Sequence, residues 1–150
     1  GPSIAAANRA GEHHAPDARL DGILIESMIN NAILELMASL RRDPQFGLVL
    51  TIASGGVMTE ILQDASTVLV PADDISLLAA LDSLRIAPLF DGFRGGQAAS
   101  RTAVLDQIKG LVSLMKAAPD IKEIEINPIM VGKDYACCAD ALINISSTEA

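Results

Sequence analysis

Long apolar runs are missing from this sequence of 150 residues. No stretch approaches the ~20 residues a helix needs to cross a bilayer, so no helical membrane span is expected. Cysteine is nearly missing: there are two, Cys137 and Cys138, side by side. Neighbours in a strand point to opposite faces, so they build no disulfide framework. A reducing cytoplasm is the expected setting, with both thiols acting as small buried apolar side chains. Basic residues are also short, 11 against 19 acidic ones, for a formal charge of −8. Such a surface repels phosphate-rich polymers, which argues against nucleic acid as a partner. A nucleotide would have to come with a metal ion, and most of the cations cradling its phosphates would come from elsewhere. No lysine follows Gly55-Gly56, so that pair is not a Walker-type phosphate loop. Internal repeats and low-complexity segments are absent as well.

Half of the residues are apolar and the mean hydropathy is +0.36, enough for one domain with a sizeable core. Residues 123–145 read as two strands folded back on each other. Glu123, Glu125 and Asn127 alternate with Ile124 and Ile126, so the polar side chains share one face. A symmetric reversal about Lys133-Asp134 pairs residues whose numbers sum to 267, and Asn127 then lies opposite Asp140. Opposed residues share a face with Cβ atoms ~4.5–5.5 Å apart. An amide oxygen and a carboxylate so placed, with Glu125 one step along, suit Mg²⁺. The competing reading makes Asn127-Pro128 a plain strand end and Asp140 a surface carboxylate. A bulge at Pro128 would shift the register by one and send Asp140 to the other face.

The rest of the chain divides as follows. Residues 1–20 read as the remnant of a cleaved tag (Gly1-Pro2-Ser3), then a linker or the end of a helix, with His13 and His14 as linker residues. Residues 21–146 form the domain and 147–150 a tail. GILIESMI from Gly22 is expected as a strand, followed after the turn pair Asn30-Asn31 by a second strand in AILELMASL. Asp43 to Gly47 is a turn, Leu48 to Ile52 a buried strand, and Gly55-Gly56 a sharp bend. Asp73 or Asp74 caps a helix with Ile75, Leu78, Ala79, Leu81 and Leu84 on its apolar stripe. Residues 88–96 are a glycine-rich loop. A second amphipathic helix over residues 100–116 carries Val104, Ile108, Leu111, Val112 and Met115 on its stripe, and Pro119 ends it. The expected class is α+β, a mostly antiparallel sheet with two main helices.

EIEINPIMVG, followed thirteen residues after its Asn by the Asp of CADALI, resembles the closing hairpin of the ATP-grasp domain of ADP (NDP)-forming acyl-CoA synthetases, the succinyl-CoA synthetase superfamily. The resemblance implies that Asn127 and Asp140 hold the Mg²⁺ of ATP and that Glu125 points into the same site. It implies that Glu26, Ser27 and Met28 form the adenine-binding hinge, with Ser27 where an acidic residue is usual, and that Glu35 is the acidic residue of the next strand. Gly55, Gly56 and Glu60 correspond to a loop approached by a phosphohistidine segment. Ser54 stands where glycine is commoner, and Val68 replaces an arginine that would be a candidate phosphate or carboxylate contact. Gly92 to Gly95 resembles Gly-Tyr-Arg-Gly, making Arg94 a ligand contact or an arginine tying the loop to a carboxylate.

The implied activity joins an acid to coenzyme A, coupled to conversion of ATP to ADP and phosphate, in a longer enzyme. There the chain is the carboxy-terminal half of an ATP-grasp domain, inactive alone. Its implied partners are the amino-terminal half and the CoA-binding and phosphohistidine domains. No residue of the chain reads as a convincing catalytic nucleophile. The alternative is a degenerate ATP-grasp module serving regulation or docking, for example in an acetyltransferase fused to a synthetase-like region; Ser27, Ser54 and Val68 favour it.

Overall fold

The computed structural model describes residues 25–56 and 63–146. Within them six strands build one antiparallel sheet: β1 (Leu34–Asp43), β2 (Gly47–Ser54), β3 (Ala65–Val70), β4 (Ile121–Val131), β5 (Ala136–Cys138) and β6 (Ala141–Ile145). Their spatial order is β3, β2, β1, β4, with β5 and β6 following one another along the outer side of β4. Two helices, α1 (Asp74–Asp82) and α2 (Arg101–Ala117), are joined by two 3₁₀ turns, Ala87–Asp91 and Phe93–Gly95. This is the α+β arrangement expected from the sequence.

Alternation makes the sheet two-faced. Leu34, Leu36, Ala38 and Leu40 of β1, Leu50 and Ile52 of β2, and Ile124 and Ile126 of β4 are buried against Leu77, Leu81, Val104, Ile108 and Met115 of the helices. The opposite face carries Glu35, Met37, Ser39, Glu123 and Glu125 and has no helix on it among the described residues. Each helix begins at a side-chain cap: Asp73 Oδ1 accepts from Ser76 N–H (2.8 Å), and Ser100 Oγ accepts from Ala103 N–H (3.2 Å).

Several expectations are corrected. The residues of GILIESMI that are described, 25–29, form no strand: they have no ladder partner, and Ile25 and Met28 are 70% and 82% exposed. The buried stripe of α1 is Leu77, Ala80 and Leu81, continued by Leu84, while Ile75 is exposed. That helix is apolar nearly all round, so spacing alone allows more than one stripe. A strand, β3, stands where the pattern indicated none. Cys137 and Cys138 are exposed rather than buried, because β5 is a three-residue edge strand that α2 covers only in part. Among the described residues no helix is long and apolar enough to cross a membrane.

Candidate functional site

The hairpin keeps the symmetric register. Val131 faces Ala136, Met130 faces Cys137, Glu125 faces Leu142 and Ile124 faces Ile143, and each pair sums to 267. Between the two ladders Asn127 N–H donates to the Asp140 carbonyl (3.3 Å) and Ala139 N–H to that of Pro128 (3.0 Å). Asn127 therefore lies opposite Asp140. The irregularity expected at Pro128 does occur, but toward β1: Leu36 pairs with Ile129 and Ala38 with Ile126, so Asn127 and Pro128 together oppose Met37. This bulge switches the buried positions of β4 from Ile124 and Ile126 to Ile129 and Val131. The Asn127–Pro128 peptide is cis.

The Gly55-Gly56 bend arrives at the same place from β2. Gly55 N–H donates to the Glu35 carbonyl (2.8 Å), and Gly56 N–H donates to Asn127 Oδ1 (2.9 Å). A Cβ on Gly56 would lie 1.8 Å from Glu35 Oε2, so that carboxylate rests against the glycine. Gly56 also has φ +62, a conformation glycine adopts without steric cost. Glu35, Gly56 and Asn127 thus form one cluster on the open face. Asp140 is exposed, and its Oδ1 accepts from Ala141 N–H (2.8 Å). Glu60 lies outside the described residues.

Residues 26–29 line a groove of about 520 Å³ with Met130, Cys137, Cys138 and Ala139 of the hairpin. Asp140 follows Ala139 in the chain, so the Asn127–Asp140 pair lies next to the hairpin segment that lines this groove. Tyr135 fastens the two sides of the groove together. Its hydroxyl donates to the Asn30 carbonyl (3.0 Å), and its ring fills the space over Gly132, where a Cβ would lie 2.1 Å from the ring. Partial desolvation, with Cys137 alongside, raises the Cys138 thiol above its ordinary value.

Two departures from the family pattern face the interior. Val68 pairs with Leu50 on the helix-covered side of the sheet and packs, half-buried, against the core. Ser54 is 2% exposed and its hydroxyl donates to Asp64 Oδ2 (2.9 Å). Arg94 is exposed, with its guanidinium over the Phe93 ring (5.1 Å). The arginine that ties this loop to carboxylates is Arg101, bound to Asp82 and Asp91 at 2.8 Å each. Asp64, Tyr135 and Arg101 carry no motif, and only their long-range partners reveal them.

Among the described residues no three His, Cys, Asp or Glu side chains gather closely enough to hold a metal ion by themselves. One amide and one or two carboxylates are nevertheless the donor set that Mg²⁺ uses when phosphate and water oxygens complete its octahedron. The residues present fit that ion.

A family model described as an ATP-grasp domain matches residues 4–145. The β subunit of ADP-forming acetate–CoA ligase I from Pyrococcus furiosus is 34% identical over 129 residues, 86% of this chain and 55% of its own length. The ADP-forming acetate–CoA ligase I of Archaeoglobus fulgidus is 29% identical over 80% of this chain, which is 17% of that protein. The chain thus spans about half of the first relative and about a sixth of the second. Among solved structures, acetyl-coenzyme A synthetase 1 of Ca. Korarchaeum cryptofilum, in complex with coenzyme A and Mg-AMPPCP, superimposes with a TM-score of 0.71 at 26% identity, over 75% of this chain and 53% of that one. The same enzyme with its phosphorylated phosphohistidine segment gives a TM-score of 0.81 at 25% identity, over 93% and 62%. With an antiparallel sheet covered on one face and its polar residues gathered on the other, the chain belongs to the ATP-grasp domain family, and its relatives are ADP-forming acyl-CoA synthetases.

Proposed function

We propose that the open face of the sheet binds the magnesium complex of ATP. The purine lies in the groove lined by Glu26, Ser27 and Met28; Asn127 and Asp140 hold the metal, with Glu125 and Glu35 beside them. The carrying observation is the register: it sets Asn127 opposite Asp140 at the end of the same hairpin wall that closes the groove. Bound there, the metal neutralises phosphate charge. The chain's own residues orient it: Gly56 N–H fixes the Asn127 amide by its oxygen, leaving that oxygen a second lone pair. Within a longer enzyme this site serves the reversible reaction of acyl-CoA, ADP and phosphate to acid, CoA and ATP. The Gly55-Gly56 loop is then the edge that a phosphohistidine segment approaches.

The test is Asp140→Ala. An exposed carboxylate contributes little to the core, so the fold should persist while Mg²⁺-dependent ATP binding is lost and turnover of the full-length enzyme falls at least about a hundredfold. Unchanged metal dependence in the variant would reject the assignment. A wild-type chain with no Mg²⁺-dependent ATP binding at all would favour the second reading, a docking module that has lost nucleotide binding. Of the three departures that recommend that reading, Ser54 and Val68 face the interior, which leaves Ser27.

A further inference from the structure

The interior holds one polar cluster that the nucleotide reading does not use. Among the described residues the buried polar or charged side chains are Ser54 and Asp64, at 2% and 8% exposure. They stand where the chain leaves β2 and where it returns to β3. Asp64 Oδ2 accepts two hydrogen bonds, from Ser54 Oγ (2.9 Å) and from Arg85 N–H (2.8 Å), and the Asp64 carbonyl accepts a third from Ser54 N–H (3.1 Å). One carboxylate thus ties the end of β2 to the start of β3 and both to the exit of α1. A buried acceptor with these bonds is costly to disturb, because each lost partner leaves a desolvated polar group.

From Ser54 the constraint runs along the backbone. Gly55 is held by its bond to the Glu35 carbonyl and sits so close to β1 that an added Cβ would lie 2.4 Å from the Leu36 carbonyl carbon. Gly56 comes next, and its N–H holds Asn127 Oδ1. We propose that Asp64 is a positioning residue: acting through Ser54 and Gly56, it fixes the rotamer of the Asn127 amide and so the direction in which that amide meets a metal. The value of this for function rests on the nucleotide reading above, whereas the bonded path from Asp64 to Asn127 does not.

The experiment is hydrogen exchange and side-chain amide NMR on the labelled chain, comparing wild type with Asp64→Ala, Asp64→Asn and Ser54→Ala. In Asp64→Ala the Gly56 amide should exchange about tenfold faster and the Asn127 side-chain signals should move, while Leu36 and Leu50 in the core keep their protection. Because both bonds converge on Oδ2, the oxygen of Asp64→Asn can take them, and this variant should restore the wild-type values. Ser54→Ala keeps the Arg85 bond, is expected to fold, and should show the same change as Asp64→Ala in smaller measure; it decides the matter if Asp64→Ala does not fold. A folded Asp64→Ala or Ser54→Ala with Gly56 and Asn127 unchanged overturns the proposal, as does an Asp64→Asn no better than Asp64→Ala. Titration with Mn²⁺ separates the two ideas. Broadening of the Asn127 side-chain signal should require several-fold more Mn²⁺ in Asp64→Ala. If Mn²⁺ leaves that signal sharp in wild type while Asp64→Ala still loosens Gly56, the metal reading falls and the positioning role stands.

Discussion

Alanine at Gly55 would meet Leu36 backbone atoms at 2.4, 2.5 and 2.8 Å, none of which can move without parting β1 from its neighbours. Alanine at Gly56 would meet the tip of the Glu35 side chain, which can swing away, leaving chiefly the cost of a positive φ. Gly55→Ala should therefore lose roughly 3 kcal/mol or more and Gly56→Ala about 1–2 kcal/mol, read from urea unfolding midpoints. Equal losses would contradict the close approach. Among the described residues three carboxyls lie below their ordinary value near 3.8: Asp43 through the Gln45 and Phe46 N–H groups, Asp73 through Ser76, and Asp91 through Arg101. A folded-state pKa below the unfolded one means that their stabilising share is complete above the ordinary value and is lost as pH falls through the depressed one. The melting temperature should accordingly start to drop below about pH 4, and Asp91→Asn should make that drop shallower. A melting temperature flat from pH 6 to pH 2 would remove these bonds from the account.

Helix α2 is held at its end by a residue of the sheet. Arg42 of β1 donates Nε–H to the Ile121 carbonyl (2.8 Å) and Nη2–H to those of Met115 and Ala118, covering carbonyls that the helix leaves open. Its neighbour Arg41 pairs with Asp43, at 3.5 Å with the side chain 54% exposed. Arg42→Met should cost roughly 1–3 kcal/mol, and Arg41→Met less than about 0.5 kcal/mol; the reverse order would refute the capping role. Elements differ in how far sequence reveals them. The hairpin was legible because period-two alternation and a symmetric turn leave one register that keeps Ile124 and Ile126 inside. Helix α2 was legible because its polar face is broad enough to single out the stripe. Helix α1 is apolar on most sides, so which stripe turns inward is decided by its contact with β3. Residues 25–29 have the composition of a strand but no partner to pair with among the described residues, and sequence does not show a missing partner. Likewise the exposure of Cys137 and the role of Asp64 depend on what lies across space, at Met130 and at Ser54.

For the molecule as a whole, span and charge set the expected behaviour. The chain covers 55% of one relative and 17% of another. Alone, it should form no ADP from ATP in the presence of acid and coenzyme A, and detecting acid-dependent ADP would overturn the view that it supplies only part of a site. Binding of ATP should be weak and should vanish with chelation, since a net charge of −8 opposes a polyphosphate until a cation reverses the local sign; tight, metal-independent binding by calorimetry would contradict this. The Tyr135 clasp bears on how such a site keeps its dimensions. Its hydroxyl grips the chain at Asn30 while its ring seals the hairpin at Gly132, so the two walls to which the proposed function assigns the base and the phosphates are joined into one arm. On the proposed function, a closing partner would have only to press a nucleotide against that arm, because the interval between its two walls is already set, like the marks on a gauge.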